Sequence, residues 1–289
     1  MIGVESHTVG VLREPMRLSD YCMGIFESIP SRKGVKKAIL AGRVEVNGSK
    51  ESTGYWIRQG DVITLLESAS QQQNYRIRLG VVFEDDHIAV INKPAGLLTS
   101  GNQFQTVERA LPHNLKMSSA KDAFSIPKPA HRLDFPTSGL LIVAKTASAL
   151  RFLKRSFENR EIGKEYLAIT VGIMPQSGSI RVPIDGKESQ TDFEVIQSVE
   201  SKKYSAFNLV RASPLTGRRH QIRNHLSHVG FPILGDAHYG GRLDMKRGLY
   251  LQSNIIQFQH PATNRSMRFA LELPGKFQKI LSQRTRRGF

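Results

Sequence analysis

The chain has 289 residues, 39% of them apolar, with 41 Lys and Arg against 25 Asp and Glu, for a net charge of +16. Its one cysteine, Cys22, excludes a disulfide framework and a cysteine-held zinc site. No apolar run approaches the roughly 18 residues of a membrane span, so a cytoplasmic protein with a polyanionic partner and no membrane is expected.

The length suggests about two domains, and the charge divides unevenly between them. Residues 1–68 hold 9 basic and 8 acidic side chains, whereas residues 201–250 alone hold 9 basic and 2 acidic. Residues 1–15 read as a loose leader. A compact small domain over 16–68 follows. Leu18, Tyr21, Cys22, Ile25 and Phe26 fall at helical spacing on one face. Ser31 is placed to cap a second helix with the apolar stripe Val35, Ala38 and Ile39, ending at Gly42. Val44-Glu45-Val46 alternates as a strand into the turn Asn47-Gly48. Gly60-Asp61 is another turn, before the strand Val62 to Leu65.

Arg17-Leu18, Ser31-Arg32, Lys36 through Ile39, Gly42 to Gly48 and Gly60 to Ile63 together resemble the small RNA-binding domain named after ribosomal protein S-four. The resemblance implies phosphate contacts from Arg32, Lys33, Lys36, Lys37 and Arg43, which position RNA without reading its sequence.

The polar, Gln-rich stretch 69–79 reads as a linker to a second domain over 80–289. Val81 to Phe83, Ile88 to Ile91 and Leu140 to Ala144 read as buried strands. Leu150, Leu153 and Phe157 form a helical stripe. Tyr166 to Val171, Phe193 to Val199 and Ala206 to Val210 are further strands, and a helix starts near Arg219. Residues 115–129 read as a mobile polar loop. Most connections are too short for crossover helices. The expected class is therefore α+β, with a mixed, mostly antiparallel sheet.

Three segments of this domain carry the chemistry. His131-Arg132-Leu133-Asp134-Phe135-Pro136-Thr137-Ser138-Gly139 places a carboxylate on a turn-rich loop at a strand entrance, where it can be aimed at a substrate. Lys164-Glu165-Tyr166 opens a strand with a ring able to stack on a base. Thr216-Gly217-Arg218-Arg219-His220-Gln221-Ile222-Arg223-Asn224-His225-Leu226 sets Arg219 and Arg223 four residues apart on one helix face. Asn92-Lys93-Pro94-Ala95-Gly96 reads as a strand-ending turn with a structural role. The pair His225/His228 could reach one ion, but no acidic residue lies nearby in sequence, and no metal site is expected. Walker, dinucleotide-binding and nucleophile-elbow motifs are absent.

These segments resemble the RluA-type family of RNA pseudouridine synthases: HRLD-x-x-TSG at His131 to Gly139, KPAG at Lys93 to Gly96, K-x-Y at Lys164 to Tyr166, and TGR-x-HQIR-x-HL at Thr216 to Leu226. Pro232 to Asp236 with Tyr239-Gly240 and Phe258 to Pro261 extend the match. Leu251-Gln252-Ser253 departs from the Leu-His-Ala usual there.

The resemblance implies a cofactor-free isomerase with Asp134 as the catalytic carboxylate. It likewise implies that Tyr166 lies against the uracil and that Arg223 pairs with the aspartate. A guanidinium opposes the desolvation of a half-buried carboxylate and fixes its orientation. Arg132, Arg219 and His220 are expected RNA contacts, Arg132 beside the flipped nucleotide. The RNA is expected to be ribosomal or transfer RNA, with ribosomal RNA favoured, and the protein to be a monomer. The RsuA-type branch, whose motif reads GRLD, and a non-enzymatic RNA-binding factor are the rival readings.

Overall fold

A computed structural model describes residues 3–26, 28–29, 31–66, 75–240 and 248–282. The chain divides into two compact units, Met1–Gln72 and Gln73–Phe289.

The first unit holds β1 (Gly3–Thr8), α1 (Leu18–Tyr21), α2 (Arg32–Leu40), β2 (Val44–Val46), β3 (Ser49–Lys50) and β4 (Val62–Leu66). Its sheet runs β1-β4-β2-β3, with the β1–β4, β4–β2 and β2–β3 pairings all antiparallel. The Ser31 hydroxyl accepts from the amide of Gly34 and so caps α2. Leu18, Cys22, Phe26, Val35, Ala38 and Ile39 pack with Val44, Val46, Ile63 and Leu65 into one core.

Two expectations fail in this unit. Residues 1–15 are not simply a leader, because Gly3–Thr8 pairs along β4. That strand is specified by the open edge of β4 rather than by an apolar pattern of its own. The helix expected from Leu18 to Phe26 lasts four residues. Gly24 then turns the chain at positive φ, while Cys22 and Phe26 still reach the core from the turns that follow.

The second unit holds β5 (Gly80–Glu84), β6 (Ile88–Lys93), α3 (Val107–Asn114), β7 (Ala123–Pro129), β8 (Ser138–Thr146), α4 (Ala147–Glu158) and β9 (Gly163–Val171). It continues with β10 (Ser177–Ile180), β11 (Thr191–Ser201), β12 (Ser205–Pro214), α5 (Gln221–His228), β13 (Leu251–Gln259), β14 (Ser266–Ala270) and α6 (Gly275–Leu281). One ten-stranded sheet runs β10-β11-β12-β9-β13-β8-β6-β5, with β14 on β13 and β7 on β8. Among the described residues its pairings are antiparallel except where β13 meets β8 in parallel, Gln252 beside Ser138 and Ser253 beside Gly139. The fold is therefore α+β with a mixed, mostly antiparallel sheet.

The parallel seam is short and decisive. Ser253 pairs with Gly139 on one side and with Tyr166 of β9 on the other. The backbones approach so closely that a Cβ on Gly139, whose φ is +117°, would lie 2.2 Å from the Ser253 carbonyl oxygen. Only glycine fits. The departure Leu251-Gln252-Ser253 falls on this seam.

The strand expected at Val81 to Phe83 forms but is not buried. Val81 and Val82 are about 40% exposed, because β5 is an edge strand with a bulge before Phe83. The expected loop 115–129 contains β7, which pairs with β8 in broken register. Its two prolines and broken pairing hid that edge position. Of the expected linker 69–79, residues 69–74 lie outside the described residues. Leu79 is buried, and Tyr75 and Ile77 pack beside it on the second unit.

Candidate active site

The loop from His131 to Gly139 is fixed at four points. The His131 imidazole accepts from the amide of Ile142 through Nε2 at 3.0 Å, and burial pushes its pKa down to about 3, so the ring is neutral. Thr99 bonds Leu133 twice, its hydroxyl donating to the carbonyl at 3.0 Å and accepting from the amide at 3.1 Å. The Phe135 carbonyl accepts from the Gly96 amide at 2.8 Å and from the Lys93 ammonium at 3.4 Å. Gly139 closes the loop against Ser253. Side chains carried on such a frame keep one direction without rearrangement.

Asp134 sits at the centre of this frame with a side-chain exposure of 16%. Arg223 Nη1 donates to its Oδ2 at 3.5 Å, and His220 Nε2 lies 3.8 Å from its Oδ1. The structure thus brings Arg223 and His220 to Asp134 from α5, 89 residues away in sequence for Arg223. Arg223 has a closer partner. Its Nε and Nη2 donate to Asp236 at 2.7 and 2.8 Å, a bidentate pair buried on both sides. Burial alone would raise the Asp236 pKa. The Arg223 bonds and the amides of Tyr239 and His238 outweigh it and hold the carboxyl below its ordinary range.

The loop before α5 is held by Gln221. Its Oε1 accepts from the Thr216 hydroxyl at 2.6 Å and from the Arg218 amide at 3.0 Å, while Nε2 donates to the Gln190 carbonyl and the Thr191 hydroxyl. His220 caps the helix at φ +56°, a strained setting for a non-glycine residue. Its Nδ1 lies 3.3 Å from the Tyr239 hydroxyl. Burial lowers its pKa against the pull of Asp134, with Arg223, Arg219 and His238 adding to the fall. His225 is buried with both ring nitrogens engaged, by Thr191 on one side and by Ser189 and the Val182 carbonyl on the other. That leaves it a structural histidine.

Tyr166 is half-buried where β9 meets the seam. Burial pushes its pKa up to about 12, with the Asp134 charge adding to the rise. Its hydroxyl is therefore protonated at neutral pH.

A cavity of about 950 Å³ opens over these groups. Asp134, Tyr166, His220 and Arg223 line it, together with Arg132, Lys154, Arg160, Lys164, Arg218 and Arg219. Asp134 and Glu158 are its carboxylates. The size suits a nucleoside unit, and the rim is strongly cationic.

The sequence reading missed Asp236 as the main partner of Arg223. It also gave Lys93 only a turn. Lys93 is fully buried, and its ammonium donates to the carbonyls of Pro94, Leu97 and Phe135 at 2.9, 2.7 and 3.4 Å. Burial drives its pKa down to about 8, with Asp134 opposing the fall. A lysine ending an unbroken buried strand was the available signal.

The expected RNA contacts of the first unit are of two kinds. Arg32, Lys33, Lys36 and Lys37 are exposed on α2, and Arg32 pairs with Asp20 at 2.7 Å. Arg43 is instead tied inward, its guanidinium donating twice to the Leu66 carbonyl.

The sequence model of the RNA pseudouridylate synthase family matches residues 87–228, a span that carries Asp134, Tyr166 and Arg223. An uncharacterised RNA pseudouridine synthase of Chlorobaculum parvum is 31% identical, covering 95% of this chain and 96% of its own length. Ribosomal large subunit pseudouridine synthase D of Vibrio parahaemolyticus is 34% identical over 84% of this chain and 83% of its own. Synthase C of the same organism is 29% identical over 92% and 91%. Among solved structures, human RNA pseudouridylate synthase domain containing 4 superposes with a TM-score of 0.58 at 26% identity, over 70% of this chain and 91% of that one.

Proposed function

Because this chain belongs to the RluA-type family of RNA pseudouridine synthases, we propose that Asp134 carries out its isomerisation of uridine. In the reaction the nitrogen–carbon glycosidic bond breaks, the uracil turns, and carbon five bonds to the sugar. Positive charge develops at the sugar as the bond breaks, as in glycoside hydrolysis. A carboxylate held in place can stabilise that charge, attack the sugar carbon or take a sugar proton. The observation that carries the assignment is Asp134 itself, half-buried on its four-point frame with Arg223 Nη1 at 3.5 Å.

The remaining residues divide the work. Arg223 fixes the carboxylate's direction. The Tyr166 ring supports the uracil while it turns, and its protonated hydroxyl can donate a hydrogen bond to the base. Arg132, exposed beside Asp134, and Arg219 hold the phosphates of the extruded nucleotide, since a stacked base is out of reach. His220 contacts the sugar or base from the Asp134 side. The isomerisation is redox-neutral and needs no cofactor.

The first unit is proposed as an S-four-like RNA-binding module, with Lys33, Lys36 and Lys37 on its exposed helix face. The target is proposed to be ribosomal RNA, a reading supported by the names of the synthase C and D relatives.

The test is a map of pseudouridines across total RNA from cells with and without this protein, complemented by wild type or Asp134→Ala. A site lost on deletion and restored by wild type alone supports both the residue and its target. A site restored by Asp134→Ala overturns the assignment. A lost site in transfer RNA overturns the ribosomal target and leaves the chemistry standing.

A further inference from the structure

The helix α4 ends with an arginine where the backbone favours glycine. The Arg160 amide donates to the Phe157 carbonyl at 3.2 Å and the Glu161 amide to the Ser156 carbonyl at 2.9 Å. This pair of bonds is a Schellman motif, and Arg160 occupies its left-handed position at φ +62°. A side chain there is strained. Arg160 is exposed, and the ion pairs among the described residues do not include it. A charged side chain kept exposed at a position that favours glycine is a candidate for function.

The place of Arg160 says which function. A second depression of about 450 Å³ lies beside the Asp134 cavity, and Arg160, Leu215 and Thr216 line both. Arg160 is thus the saddle between them. The outer depression adds the exposed Arg181, with Glu188 as its one carboxylate among the described residues. Its other polar side chains are already committed. Gln190 donates to Ser179 and Asp192, and Ser189 bonds the Val182 carbonyl and His225. Such a surface offers mainly positive charge, which suits a phosphate backbone.

We propose that the outer depression is a second RNA-strand site, in which Arg160 and Arg181 hold phosphates of nucleotides flanking the target uridine. The strand crosses the Arg160 saddle as it leaves the Asp134 cavity. Contact is with phosphate alone and is independent of sequence. The inference rests on RNA being the substrate and is independent of the role given to Asp134.

The test is binding of fluorescein-labelled oligouridylates of three and twelve nucleotides by anisotropy, across a salt series, to the full chain. Wild type is expected to bind the dodecamer more tightly than the trimer. Arg181→Ala should weaken the dodecamer about tenfold, the worth of one charge-assisted hydrogen bond, and leave the trimer unchanged. The salt slope should become shallower by about 0.7 for each arginine removed. Arg160→Gly should weaken the dodecamer similarly while its Tm stays the same or rises, because the substitution relieves the left-handed strain. Asp134→Ala, run alongside, should lose turnover on cellular RNA and keep the full length dependence, which separates failure of this site from failure of the chemical assignment. No length dependence in wild type overturns the proposal, as does equal weakening of trimer and dodecamer by Arg181→Ala. A fall in Tm for Arg160→Gly with unchanged binding would make Arg160 structural and overturn it too.

Discussion

Arg223 gives the two nitrogens of its fork to Asp236, at 2.7 and 2.8 Å, and has one left, Nη1, for Asp134 at 3.5 Å. The guanidinium is therefore a fixed bracket between a structural carboxylate and the proposed reacting one. A lysine cannot span both. Arg223→Lys should lower kcat by a factor of roughly 100, the scale of a misaligned reacting group, with RNA affinity nearly unchanged. Single-turnover rates set against anisotropy titrations check this. Equal losses in rate and affinity would assign Arg223 to RNA binding instead.

The same pair makes the fold acid-sensitive. The carboxyl of Asp236 titrates below its ordinary range in the folded chain, so unfolding is accompanied by proton uptake. Its stabilisation is fully present above the unfolded aspartate value of about 3.9 and is lost as pH falls through the lower folded value. Asp236→Asn should flatten that acid limb of a urea-unfolding pH series. Asp236→Ala, which leaves the Arg223 charge buried without its main partner, should destabilise by about 3–5 kcal/mol at neutral pH.

Lys93 carries the opposite dependence. Its pKa falls from 10.5 in the ordinary range to about 8 when folded. Between those values the unfolded chain binds more protons, so stability from this group rises with pH. Urea midpoints should climb from pH 8 towards pH 10.5, and Lys93→Met should remove the climb. The same variant strips a donor from three carbonyls; Phe135 keeps the Gly96 amide, whereas Pro94 and Leu97 lose the donor described for them. It should therefore also lose stability at pH 7, by roughly 1–3 kcal/mol for each carbonyl left without a partner.

These residues show what could be read from the chain alone. Asp134, Tyr166 and Arg223 stand out because each lies in a dense local motif, and α5 and β8 follow from apolar periodicity. Asp236 was visible only as the last residue of the match Pro232 to Asp236, with no role attached. Its partner is 13 positions away, and no periodicity links the two. Lys93 is different: its carbonyl partners Pro94 and Leu97 are 1 and 4 positions away and only Phe135 is distant, so its place at the end of a buried strand was a legible signal. The strands β1 and β7 were missed because edge strands need no apolar alternation. For Asp236, β1 and β7 the decisive information was a pairing between separate segments, on which local pattern is silent.

The seam between β8 and β13 yields a steric prediction. Gly139→Ala would put its methyl 2.2 Å from the Ser253 carbonyl at a φ that alanine resists. Overpacking and backbone strain together should destabilise by roughly 2–5 kcal/mol. Because Gly139 ends the Asp134 loop, turnover should fall even at temperatures where the variant is folded. Near-native turnover in folded Gly139→Ala would show that the loop keeps its direction without the seam.

The first unit supports a prediction that spares its fold. Val35, Ala38 and Ile39 bury one face of α2, while Lys33, Lys36 and Lys37 stand exposed on another. Exposed charges of this kind contribute little to stability, so the triple change of these lysines to glutamine should leave Tm within about 2 °C of wild type, the shift expected for a few tenths of a kcal/mol. If the helix holds RNA phosphates, affinity for the RNA should fall and the salt slope should become shallower by about 2 for single-stranded RNA, near 0.7 per contact. Turnover at saturating RNA should be unchanged, because the Asp134 cavity belongs wholly to the second unit. A loss of kcat with intact binding would mean that α2 acts on the chemistry. Intact binding and intact kcat would remove the first unit from RNA recognition.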